Sequence, residues 1–100
     1  ADVEARLGEI LAELDRARFL TTLYREEVLP QARANVTSAL SSYRVGAVDF
    51  LTLVDAQMTV NRYQSEFFQL LGDYGRAVAA LESTLGRSLP PGTAVLTEAS

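Results

Sequence analysis

The chain contains no cysteine and no histidine. That removes disulfides, thiolate nucleophiles, imidazole bases and the commonest transition-metal ligands together. Met58 is the only methionine, so no methionine-lined copper path is encoded. Lysine is also missing: all nine basic residues are arginine, and they are scattered from Arg6 to Arg87. With a net charge of -4 and no basic patch, nucleic-acid binding is excluded as a reading. No apolar run approaches the roughly 20 residues that a membrane-spanning helix needs. There is no signal peptide and the first residue is not Met, so the chain is expected to be processed or cut from a longer protein. Three prolines and six glycines in 100 residues leave room for long uninterrupted elements.

What is present is helical patterning. Hydrophobic residues make up 48% of the chain, too many for a disordered segment. Val3, Leu7, Ile10, Leu14, Ala17, Thr21, Tyr24 and Val28 recur in alternating steps of four and three. That spacing predicts a helix over 2–43 with a heptad stripe on one face. Beyond it the stripe reads Val28, Ala32, Val36, Leu40, Tyr43, and repeated four-residue steps locally unwind a left-handed supercoil. Pro30 sits at this change of phase, where it cannot donate to the carbonyl of Glu26. Either a new helix begins there or one helix bends. No Gly, Asn, Asp or Ser lies between Arg25 and Arg33, which favours a bend.

Residues 31–48 carry only two charges, Arg33 and Arg44, and many small side chains. A helix exposed on one side normally carries more charge, so this segment is expected to be packed on more than one side. Gly46 marks a turn, as a residue free to take positive φ after a helix end. Asp49 fits an N-cap for the next helix, expected over 50–85. The short connection makes the two helices antiparallel neighbours. On the second helix Leu53, Val60, Phe67, Tyr74 and Leu81 recur every seven residues. Gln57, Gln64, Leu71, Val78 and Leu85 follow four after each, and Ala56, Tyr63, Leu70 and Ala77 widen the seam. Tyr63, Leu70 and Ala77 are expected to stay wet in a lone hairpin and to drive self-association. Gly86 and then Pro90-Pro91-Gly92 signal the stop, with 87–100 read as a flexible tail. The fold class is therefore all-α: a long antiparallel coiled-coil hairpin over 1–86 that belongs in a larger bundle.

Nothing in the sequence assembles a catalytic site. Asp49 and Asp55 lie six apart, about 600° of helical rotation, so they do not share a face. The Ser and Thr hydroxyls have no His or Lys to activate them. No enzyme, cofactor or metal site is expected.

Three stretches within Tyr24–Gly86 carry a family pattern: EEVLPQA, then SYRVGAVDFLTLVDAQ, then the aromatic-rich helix ending in ALESTLG. This segment resembles the second repeat of the TolC-like outer-membrane efflux proteins, with EEVLPQA common in their heavy-metal branch. The resemblance implies a homotrimer whose subunits join β-strands in the outer membrane to long helices forming a periplasmic tunnel. It further implies that the chain is a tunnel hairpin with its turn at the periplasmic tip. There the family meets a periplasmic adaptor protein, which links to an inner-membrane pump. The tip positions fall on Val45, Gly46, Ala47 and Val48, and the acid that narrows the tunnel mouth falls on Asp55. Thr52 stands one turn earlier where some relatives carry a second acid. The alternative is a free-standing hairpin module that dimerises into a four-helix bundle.

Overall fold

The computed structural model describes residues 2–88, and these are helical apart from one connection. Helix α1 spans Asp2–Leu23, a five-residue π-helical turn spans Tyr24–Val28, and α2 spans Leu29–Arg44. After the connection at 45–49, α3 runs over Phe50–Ser88. There is no strand among the described residues. Two long helical rods pack together. Arg6 lies near Ala80, the Tyr24 ring meets Tyr63, and Tyr43 meets Phe50, so numbers fall along α3 as they rise along its partner. The molecule measures 70 × 30 × 16 Å with a radius of gyration of 21.4 Å. A compact chain of this length would have about 13 Å, so the core is a line rather than a centre.

That line follows the heptads. Ile10, Leu14, Ala17 and Thr21 are buried on α1, with Leu29 and Ala32 on α2. On α3 Val60 and Ala77 are buried, and Leu53, Ala56, Tyr63, Phe67, Leu70, Tyr74 and Leu81 are half-buried between them. This corrects the expected companion set on α3. The seam takes Ala56, Tyr63, Leu70 and Ala77; of the expected companions Gln64 and Val78 are half-buried, whereas Gln57, Leu71 and Leu85 are exposed. A single partner helix covers only a narrow stripe, and steps of three and four from Leu53 to Leu81 fill it. Tyr63, Leu70 and Ala77 are therefore not the wet apolar side chains: Ala77 is buried and the other two half-buried, whereas Phe19 of α1 and Met58, Phe68 and Leu71 of α3 are among those exposed.

Pro30 does not end the first helix: every residue from Asp2 to Arg44 is helical. The irregularity lies one turn earlier, where the Leu29 N–H donates to the Tyr24 carbonyl, five residues back instead of four. The buried positions explain it. On α1 the stripe steps 10, 14, 17, 21, and on α2 the buried pair is 29 and 32. From Thr21 to Leu29 is eight residues where a heptad needs seven. One residue too many would swing α2 about 100° off the seam. A π-helical turn absorbs that residue. The phase change is thus concentrated in one wide turn, and Leu29 is buried in place of Val28. The same turn accommodates Pro30, which has no N–H for an α-helical bond to Glu26.

The far end also departs from expectation. Gly86 does not stop α3, which continues through Arg87 to Ser88. Glycine in a helix costs about 1 kcal/mol relative to alanine, which lowers helix propensity without forbidding it. The rest of the expected tail, 89–100, lies outside the described residues.

Thr21 is the buried residue that does not fit an apolar stripe. It is 7% exposed, and its hydroxyl has no hydrogen-bond partner among the described residues. A buried unpaired hydroxyl costs about 1–3 kcal/mol. Valine has the same shape without that polar atom, so Thr21→Val should raise stability by about 1 kcal/mol. A thermal melt with a lowered midpoint would show that the hydroxyl has a partner in solution.

Candidate functional site

The connection between α2 and α3 is built by two interlocking caps. The Gly46 N–H donates to the Tyr43 carbonyl at 3.0 Å, and the Ala47 N–H donates to the Ser42 carbonyl at 2.8 Å. This paired closure is a Schellman motif, which needs left-handed backbone at the residue after the cap. Gly46 supplies it with φ of +76°, and no described non-glycine residue has positive φ. Three residues on, Asp49 caps α3. Its carboxylate accepts the Thr52 N–H at 3.0 Å and the Thr52 hydroxyl at 2.9 Å. Both turn residues singled out in the sequence therefore have the backbone roles expected of them.

The backbone hydrogen bond from Thr52, then that residue's hydroxyl, holds the Asp49 carboxyl below the usual carboxylate value. A lowered folded-state value adds stability above the unfolded value, lost as pH falls through the folded one. Asp49→Ala should therefore lower the melting midpoint at neutral pH, with the difference closing in acid below the ordinary carboxylate range. An equal difference at both pH values would mean that the carboxylate is not the cap.

With its polar groups engaged internally, the turn presents apolar surface outward. Val45 is 80% exposed, Leu51 63% and Phe50 60%. The Tyr43 and Phe50 rings meet with centroids 5.7 Å apart across the mouth of the turn. Ala47 is exposed and Val48 half-buried. Val45 to Val48 are marked as the tip by the sequence; Phe50 and Leu51, which it does not single out, join Val45 and Ala47 as exposed apolar residues. Their signal was available: Asp49 as N-cap makes them the first two residues of α3, beyond the end of the helix that would cover them.

Thr52 and Asp55 are both exposed on α3. The structure brings them to one face, three residues apart, but gives them different employment. The Thr52 hydroxyl is held by Asp49, whereas the exposed Asp55 carboxylate has no partner among the described residues and its carbonyl accepts the Thr59 hydroxyl at 3.0 Å. Asp55 heads a charged line that continues through Arg62, Glu66, Asp73 and Arg76. The last two pair with each other. Arg6, Glu9 and Glu13 of α1 face Asp73 and Arg76 across a shallow groove, so this broad side of the helix pair is charged along much of its length. Arg62 does not pair with Glu66. Its guanidinium lies 5.1 Å from the centre of the Tyr63 ring, and Glu66 instead accepts the Tyr24 hydroxyl at 2.8 Å. That hydrogen bond, with lesser help from burial and the carboxylate's charge, pushes the Tyr24 phenol above its ordinary value.

The side of α3 turned away from α1 is different. Leu51, Val54, Met58, Asn61, Ser65, Phe68, Gly72, Gly75 and Ala79 follow at steps of three and four, and none is charged. Pro30, Ala34, Ser38 and Ser41 make a similar uncharged, exposed line on α2. No helix among the described residues is long and apolar enough to cross a membrane, and no group of potential ligands there could hold a metal ion. No family model, no curated protein and no solved structure matches the chain.

Proposed function

We propose that the chain is a piece of the periplasmic tunnel of a trimeric outer-membrane efflux channel, folded as an antiparallel coiled-coil hairpin. The channel exports small molecules or metal ions, with a periplasmic adaptor at its tip and an inner-membrane pump beyond the adaptor. The observation that carries this reading is the tip. A turn closed by Gly46 and Asp49 leaves Val45, Phe50 and Leu51 in water, where a free-standing turn would place polar side chains. The uncharged outer lines of α2 and α3 support it, because a helix flanked on two sides has no room for charge there. The family pattern in 24–86 supplies the identity of the assembly.

In that assembly Asp55 faces the lumen near the periplasmic mouth. It sits on the charged broad side of the hairpin and its carboxylate has no partner among the described residues. Three copies around the axis form an anionic ring that favours cations. Thr52 does not extend the ring, since its hydroxyl is committed to the cap. Asp55→Asn in the intact channel should weaken block by multivalent cations and change single-channel conductance. Recordings identical to those of the parent would remove Asp55 from the lumen.

A further inference from the structure

The wide turn at Tyr24–Val28 raises a question of position. One surplus residue must be absorbed between Ala17 and Leu29, which are 2% and 5% exposed and anchor the seam on either side. The anchors do not dictate where within that interval the surplus goes. As placed, it directs Thr21 and Tyr24 toward α3. Moved one turn toward the N-terminus, the same surplus would direct Thr22 and Arg25 there instead, with Ala17 and Leu29 unmoved.

We propose that the wide turn is a movable bulge with two registers, in which Tyr24 and Arg25 alternate on Glu66. The two registers are chemically matched. Thr22 replaces Thr21, residue for residue. Tyr24 now gives Glu66 its hydroxyl and stacks edge-on against Tyr63, with ring centroids 6.1 Å apart. Arg25 in its place brings a guanidinium to the same carboxylate and the same ring, contacts that are strong for arginine. Arg25 has little to lose in the exchange. It is exposed and its ion contact is to the adjacent, equally exposed Glu26 at 3.8 Å, a kind of pair worth little. The buried threonine hydroxyl is common to both registers, Thr21 in one and Thr22 in the other, and so favours neither. Moving the bulge turns the intervening segment by about 100° and leaves the seam on both sides closed. This device does not depend on the channel reading.

The test uses deletions that trap each register. Removing Arg18 takes out the surplus ahead of Thr22 and fixes the second register. Removing Glu26 takes it out behind Tyr24 and fixes the first. Amide chemical shifts of the two deletants define the end points. In the parent chain, relaxation-dispersion NMR should report microsecond-to-millisecond exchange centred on residues 18–28 and on Tyr63 and Glu66, which face them, with a minor state whose shifts match the Arg18 deletant. Tyr24→Phe should raise that minor population about tenfold, the ratio carried by one hydrogen bond to a charged group. Arg25→Ala should abolish the exchange. A Tyr24→Phe variant whose shifts do not move toward the Arg18 deletant overturns the proposal. So does exchange that persists undiminished in Arg25→Ala. An Arg18 deletant that fails to fold while the Glu26 deletant folds also overturns it, because the second register would then be unable to close the seam.

Discussion

Deleting Glu26 should leave the hairpin folded, whereas deleting Ala12 should cost it about 3–6 kcal/mol, the burial of two large aliphatic side chains. Both residues are exposed helical positions, and a local view gives them equal weight. The seam separates them. Without Ala12, everything before it turns by about 100° relative to Leu14. Glu9 and Arg6 then stand where Ile10 and Leu7 packed, and the first three turns fray rather than bury charge. Without Glu26, the eight residues from Thr21 to Leu29 become seven and the two stripes join in phase. Pro30 still denies that turn one hydrogen bond, so the deletant should melt slightly below the parent, and Pro30→Ala should restore the difference. Pro30→Ala alone should leave the wide turn in place, because Leu29 and Ala32 must still face α3. Thermal melts followed by circular dichroism decide the matter. A Glu26 deletant as crippled as the Ala12 deletant would mean that the turn is not absorbing a surplus residue.

The same arithmetic shows what the sequence could disclose. The stripe from Leu7 to Thr21 is legible because each step obeys one period, and the structure buries Ile10, Leu14, Ala17 and Thr21 accordingly. Gly46 and Asp49 are legible because a left-handed turn and an N-cap each demand particular residue types, and both are found in those roles. The phase change near Pro30 was visible, but its form was not. Val28 and Leu29 are both apolar, so the pattern alone does not say which one the partner helix covers. The α3 flank was ambiguous for the same reason. Leu70 and Leu71 are equally hydrophobic neighbours, and only the line of α1 selects Leu70. The end of α3 was misread because glycine weakens a helix by an amount that neighbouring turns can absorb.

On the proposed channel reading, Ala47→Asp at the tip should abolish cross-linking of the intact channel to its adaptor while leaving the trimer assembled in the outer membrane. Gly46 has φ of +76°, so any side chain there meets backbone strain even though no atom lies within 4 Å of where its Cβ would stand. A Gly46→Trp variant consequently changes two things at once, the surface and the geometry of the Schellman closure. Ala47 contributes to that closure only through its backbone N–H, which an aspartate retains. Its side chain is exposed, next to Val45 and across the turn from Phe50 and Leu51. A carboxylate placed there stays hydrated in the free channel and costs the fold little. Docking against another apolar helical tip would strip that hydration with no cation to replace it, since Arg44 is the only basic residue in the tip segment from Tyr43 to Leu53. Leaving a charge buried and unpaired at an interface costs several kcal/mol, a loss of more than a hundredfold in affinity. Ala47→Ser, polar but uncharged, should retain most of the cross-linking and so isolates the charge as the cause. If Ala47→Asp assembles, cross-links and exports as the parent does, the adaptor does not sit on this turn.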